Sequence, residues 1–284
     1  MTQAVQVAEP VAWHGEGPVW HEPWGLVYVD MLAGDILRLD PGSGAVRRNH
    51  VGSVAAVVRP RTNGGAVVAV ERGFALIDPG TPPEEARHLG DLWTGTSVRM
   101  NEGGCDPDGR FYCGSMAYDK STGAGSVYRL DPDGSTRTVL TGVTVSNGLG
   151  WSPDGGTAYY VDTPTRRIDA FDYSARDGLT GRRPLVAEVP GRPDGLTVDA
   201  EGYLWVALFG GGAVLRYRHD GRLDDRIELP VTQVTACALG GPGLRTLYVT
   251  TSKDGIDPAA QPLAGAAFAA QVDVPGLPVL PYAG

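Results

Sequence analysis

Four polar residues occupy one phase of a recurring pattern: Glu16 in EGPVWHEPWG, Asn101 in NEGGCDPDGR, Asn147 in NGLGWSPDGG and Asp194 in DGLTVDAEGY. Each stands five residues before the start of a turn, at His21, Asp106, Ser152 and Asp199. A single Asn or Asp ahead of Gly is ordinarily a turn former. A turn role requires no agreement in phase between segments so far apart, whereas convergence on one point does. Glu16, Asn147 and Asp194 would bring together three oxygen donors and two negative charges. That set suits one hard divalent cation with positions left open for water and substrate. Thr235 takes the same phase in a sixth segment, while the second segment offers no polar counterpart near Val54.

The elements that must hold these residues read as strands. Runs rich in Val, Tyr, Phe and Leu come in pairs: LVYVD with DILRLD, RFYCGSM with SVYRLD, TAYYVD with RIDAFDY, and YLWVAL with AVLRYR. AVVAV with GFALID and TLYVTT with AAFAAQV are weaker copies. The turns DPDG at 106, SPDG at 152 and DAEG at 199 recur at offsets of 46 and 47 residues. Propeller blades repeat at about 40–50 residues. Six such units use the whole chain, no helical period runs far enough for alternating βαβ units, and no linker separates them. The expected fold is all-β: a single six-bladed β-propeller domain over residues 1–284, with four-stranded blades around a central channel. QAVQVA, from residue 3, is expected to add a strand that closes the last blade and covers its open edge. The shared phase, just before each innermost strand, would then point at the channel mouth.

Composition narrows the partners. The 284 residues are 42% hydrophobic, enough for a large core, and the 41 Gly and 22 Pro fall singly at turns instead of pooling. A formal charge of −9 with no basic block argues against nucleic acid or an anionic membrane, since both require a positive surface. No apolar run approaches the roughly 20 residues of a membrane span, and no signal-peptide pattern opens the chain, so the expected location is cytoplasmic. Cys105, Cys113 and Cys237 show neither CxxC nor zinc-like spacing and read as core thiols. The sequence carries no signal for an oligomeric state.

Other chemistry reads weaker. Ser146, His14 and an Asp could be assembled into a triad, but there is no GxSxG elbow and no linking spacing. His14 beside Glu16 is either a further ligand or a wall residue. FGGG at 209–212 lacks the Lys and helix of a phosphate loop and reads as a hairpin turn. Trp20, Trp151 and Trp205 read as blade packing, and RHDGRLDDR as solvated surface.

Several separated motifs in order, GEGPVW at 15–20, RMNEGGCDPDGRFYCGSM at 99–116, SNGLGWSPDG at 146–155, RPDGLTVDAEGYLWVALFGGGAVLR at 192–216, and TLYVTTSKDGID with PYAG, span nearly the whole chain. In these motifs the chain resembles the regucalcin and gluconolactonase family, also called senescence marker protein, whose members are six-bladed propellers. The resemblance implies a divalent-metal-dependent lactonase that opens sugar lactones, such as gluconolactone or a pentonolactone, to aldonic acids. Glu16, Asn147 and Asp194 fall on the family's metal ligands, and Asp194 also on its general base. Arg99 and Asn101 match substrate contacts in an RxN motif, and Asp119 in GSMAYD stands where the family often places an acidic contact after GTM. The cation, calcium, zinc, manganese, magnesium or iron, would polarise the lactone carbonyl while Asp194 takes a proton from the attacking water. A noncatalytic calcium-binding regulatory propeller and a lactonase or esterase of another substrate class are the competing readings.

Overall fold

A computed structural model describes residues 3–40 and 42–284. Every one of the six units forms a four-stranded antiparallel sheet, and together the sheets make a six-bladed β-propeller. The first strands of the blades are Gly15–His21, Ala55–Pro60, Val98–Cys105, Ser146–Trp151, Pro193–Val198 and Val234–Gly240. Each packs against the first strands of both neighbouring blades, so the six line the axis as a closed ring. These strands are buried almost throughout, whereas outer strands such as Val46–His50 and Thr136–Val143 are largely exposed. A strand with blades on both faces must be apolar on both, and an outer strand need not be.

The last blade is closed by the expected extra strand. Val5–Ala8 pairs antiparallel with Ala267–Gln271, completing the sheet begun by Val234–Gly240 and Thr246–Thr251. This covers an edge that would otherwise present unpaired backbone groups. At the far mouth of the channel, residues 275–284 run across the blades: Ala200 N donates to Pro275 O at 2.9 Å and Tyr282 N to Pro60 O at 2.8 Å.

The repeated turns owe their shape to buried aspartates. Asp106 Oδ1 accepts from the amides of Asp108 and Arg110, and Asp199 Oδ1 from those of Glu201 and Tyr203. Arg110 and Arg216 pair with the remaining oxygens at 2.7 Å. Cys105, Cys113 and Cys237 are free thiols in the core.

All six first strands are bulged at one place. The register shifts between Glu16 and Val19, Ala55 and Val57, Met100 and Gly103, Ser146 and Leu149, Pro193 and Leu196, and Val234 and Ala236. A bulge leaves residues out of the ladder and re-aims their side chains. The phase noted in the sequence is thus the phase of the bulge. In the second blade the corresponding residue is Ala56, between the shifted partners, and not Val54. That blade contributes no polar group there.

Candidate functional site

Two aspartates at the ends of second strands hold the chain just ahead of the bulges. Asp30 accepts from the amides of Trp13 and His14 at 3.0 and 2.9 Å, and Asp162 from those of Thr144 and Val145 at 3.0 and 2.9 Å. Glu16 and Asn147 follow two residues later in each case. The glycines that come after Asn147 and Asp194 answer to crowding near the axis. A Cβ on Gly148 would lie 2.7 Å from Leu196 N, and one on Gly195 2.5 Å from Ala236 Cβ, distances no side chain sustains.

Glu16, Asn147 and Asp194 meet at one channel mouth, 2%, 3% and 5% exposed, around a cavity of about 280 Å³ that Arg99 and Asn101 also line. The Asn147 amide is oriented by its neighbours. Its Nδ2 donates to Thr163 Oγ1 at 2.8 Å, leaving Oδ1, which accepts from Asn101 Nδ2 at 3.3 Å, toward the other residues of the cluster. Arg99 Nη1 donates to Asn101 Oδ1 at 2.7 Å and to Met100 O at 2.9 Å, and Asn101 Nδ2 also donates to Ser146 O at 2.8 Å. Asn101 is therefore engaged at both ends of its amide and joins Arg99 to Asn147. Thr235 shares the phase but spends its hydroxyl on Gly15 O at 2.6 Å, behind Glu16.

The electrostatics follow from burying like charges together. Burial, then the Asp194 and Glu102 carboxylates, holds the Glu16 carboxyl well above the usual range; burial, then Glu102, does the same to Asp194. Glu102 is raised chiefly by its own burial, against the pull of Arg59, whose Nη2 lies 3.8 Å from Oε1. His14 goes the other way. Burial, then the fields of Arg99 and Lys120, push it down to about 3, so it is neutral at pH 7. Its Nδ1 shares a hydrogen bond with Ser252 Oγ at 2.7 Å, and its Nε2 stands 3.8 Å from Glu16 Oε1.

These residues fit a divalent cation. Asp194 Oδ1 is buried with no hydrogen-bond partner among the described residues, and a carboxylate oxygen in that condition is costly unless a cation compensates it. Among the described residues no three His, Cys, Asp or Glu side chains are disposed to hold an ion, so a cation here would take the Asn147 amide oxygen as its third donor. The donor chemistry is all oxygen, as hard cations prefer.

Asp119 is not brought to this cluster. Its exposed carboxylate accepts from Ser121 N at 2.9 Å and Ser121 Oγ at 2.7 Å, closing a local turn, and the following residue, Lys120, lines the cavity instead. Sequence reasoning missed Glu102, Thr163, Lys120 and Arg192. Glu102 had a signal, being a carboxylate beside Asn101 within the same bulge. Thr163 opens a short 3-10 helix after its strand, and Lys120 and Arg192 lie in loops, where periodicity says nothing. Phe209 of the FGGG turn lines the cavity, and Gly210–Gly212 form the hairpin turn expected. Among the described residues no helix is long and apolar enough to cross a membrane.

A family model described as SMP-30/Gluconolactonase/LRE-like region matches residues 14–253. The chain is 37% identical over 271 residues to the 6-deoxy-6-sulfogluconolactonase of Pseudomonas putida, covering 92% of each. To the pentonolactonase XacC of Haloferax volcanii it is 37% identical over 243 residues, covering 84% of this chain and 81% of the other. The crystal structure of a calcium-binding protein, regucalcin, from Agrobacterium tumefaciens matches with a TM-score of 0.91 at 28% identity, covering 98% of this chain and 96% of that one.

Proposed function

The chain belongs to the SMP-30/gluconolactonase/LRE-like family, and from that premise we propose that it is a hydrolase that opens sugar lactones to the corresponding acids. The observation that carries this reading is the buried pair Glu16 and Asp194 beside the oriented amide of Asn147, with Asp194 Oδ1 lacking any protein donor. Glu16, Asn147 and Asp194 would hold one divalent cation; when bound, it would polarise the lactone carbonyl and stabilise the negative charge that develops on its oxygen.

The chain's own groups do the rest. Asp194 takes the proton of the attacking water. The ring carbon–oxygen bond then breaks, and the ring oxygen leaves as a hydroxyl once protonated. Arg99 holds the sugar side of the cavity and Asn101 keeps Arg99 and Asn147 in register. Neutral His14 walls the cleft beside Glu16 without competing for its charge.

The same oxygen donors would also serve calcium binding without turnover; the Agrobacterium structure is that of a calcium-binding protein. Acid release from a panel of sugar and alkyl lactones, with and without chelator, separates the two. Metal-dependent release on the sugar lactones is expected. No release from any lactone with metal bound overturns the hydrolase reading.

A further inference from the structure

Three cationic side chains line the cavity: Arg99, Lys120 and Arg192. Arg99 is buried and tied to Asn101 and Met100. The other two are exposed at the rim, and among the described residues neither has a carboxylate within the 4.0 Å of an ion pair. Arg192 is nonetheless held in place. Its Nε donates to Phe209 O at 3.2 Å, and its guanidinium lies 4.9 Å from the centroid of the Phe209 ring. A Cβ on Gly210 would come within 2.5 Å of Nη2, so a side chain there would displace the guanidinium from this position. Nη1 and Nη2 are left to receive a ligand. Lys120 sits at φ 59, one of three non-glycine residues with positive φ among those described. Such a conformation costs energy, and residues that keep it cluster at ligand clamps.

The charges opposite are few. Glu16 and Asp194 are committed to the cation in the proposed function, and Asp254 is the remaining acid among the residues lining the cavity. A mouth with more free cations than anions attracts an anionic ligand, and a guanidinium fixed by stacking binds carboxylate or phosphate oxygens in two-point fashion.

We propose that the substrate is a sugar lactone carrying an anionic oxygen group, a carboxylate or phosphate, at the end away from the lactone carbonyl, and that Arg192 receives that group with Lys120 adding to the field. The position follows from the depth of the cleft: Glu16 and Asp194 are buried at its floor and Arg192 is exposed at its rim. The inference rests on the lactonase reading and narrows its substrate class.

The test compares kcat/KM on gluconolactone, its terminal phosphate ester and the matching lactone with a terminal carboxylate, for the wild type and for Arg192→Gln. The anionic lactones should win by about tenfold or more, the worth of one charge-assisted hydrogen bond, and Arg192→Gln should erase most of that ratio. As a readout independent of any variant, KM for the anionic lactones should rise with salt while that for gluconolactone stays level. The phosphate and carboxylate arms show which anion fits. Turnover with a ratio of one or below, or a ratio that neither salt nor Arg192→Gln lowers, overturns the anion subsite and leaves the lactonase intact. Absence of turnover on every lactone overturns the lactonase reading and this inference together.

Discussion

Thr163 Oγ1 receives the Asn147 amide at 2.8 Å and passes its own proton to Pro193 O at 2.8 Å, the residue immediately before Asp194. With its single proton given to a carbonyl, the hydroxyl can only accept from Asn147, so the amide must turn its nitrogen to Thr163 and its oxygen to the site. One hydroxyl thereby sets the orientation of one proposed ligand and ties it to the strand that carries another.

Thr163→Val keeps the shape and removes both bonds. Metal affinity, read by calorimetric titration, should fall about 10–100-fold, the usual effect of losing a residue that orients a ligand. Thr163→Ser should restore it. A Val variant that binds metal as tightly as the wild type would show that the amide is oriented without Thr163.

Asp194→Asn keeps an oxygen donor but removes the proton acceptor and one charge. Turnover under saturating metal should drop by about 10²–10⁴, the typical contribution of a general base. Circular dichroism should barely change. A kcat near wild type would remove Asp194 from the role of base.

Stripping divalent ions should abolish activity reversibly and lower the melting temperature, because Glu16 and Asp194 are then buried side by side without a cation to offset them. Returning metal at a hundred times its dissociation constant should stabilise the protein by about 2.7 kcal/mol. Protein verified metal-free by elemental analysis that still hydrolyses lactone at the original rate would refute metal dependence.

Asp162 serves backbone geometry and touches no substrate in this reading. Asp162→Ala leaves the amides of Thr144 and Val145 without their acceptor, a loss of about 1–3 kcal/mol for each that stays buried and unmet. Chemical denaturation should register that loss. The Michaelis constant for metal-dependent turnover should worsen as well, because the segment leading to Asn147 is no longer fixed. Unchanged stability would mean that water replaces the carboxylate.

The propeller, its six blades, the closing strand and the turns were legible in the chain because each rests on a local signal. Apolar alternation, Gly after Asp at a turn, and a fixed spacing near 46 residues are properties of neighbouring residues. The phase shared by Glu16, Asn101, Asn147 and Asp194 was legible for the same reason, and only the structure identifies it as a bulge repeated in all six blades.

What each phased residue does was decided largely by groups from other blades. Asn101 and Thr235 share the phase with Glu16, yet their polar atoms are consumed by Arg99, Ser146 and Asn147 in one case and by Gly15 in the other. Asp119 and Lys120 are adjacent in sequence, and a turn closed by Ser121 turns the carboxylate to local use while the lysine lines the cavity. The sequence by itself determined the repeat, the ring and the set of residues able to reach the axis, because hydrophobic period and turn chemistry act over a few residues. Only the tertiary structure decided which of them keep an unpaired oxygen and which cationic side chains remain free at the rim, because hydrogen bonds and charge pairing depend on partners that folding brings from distant parts of the chain.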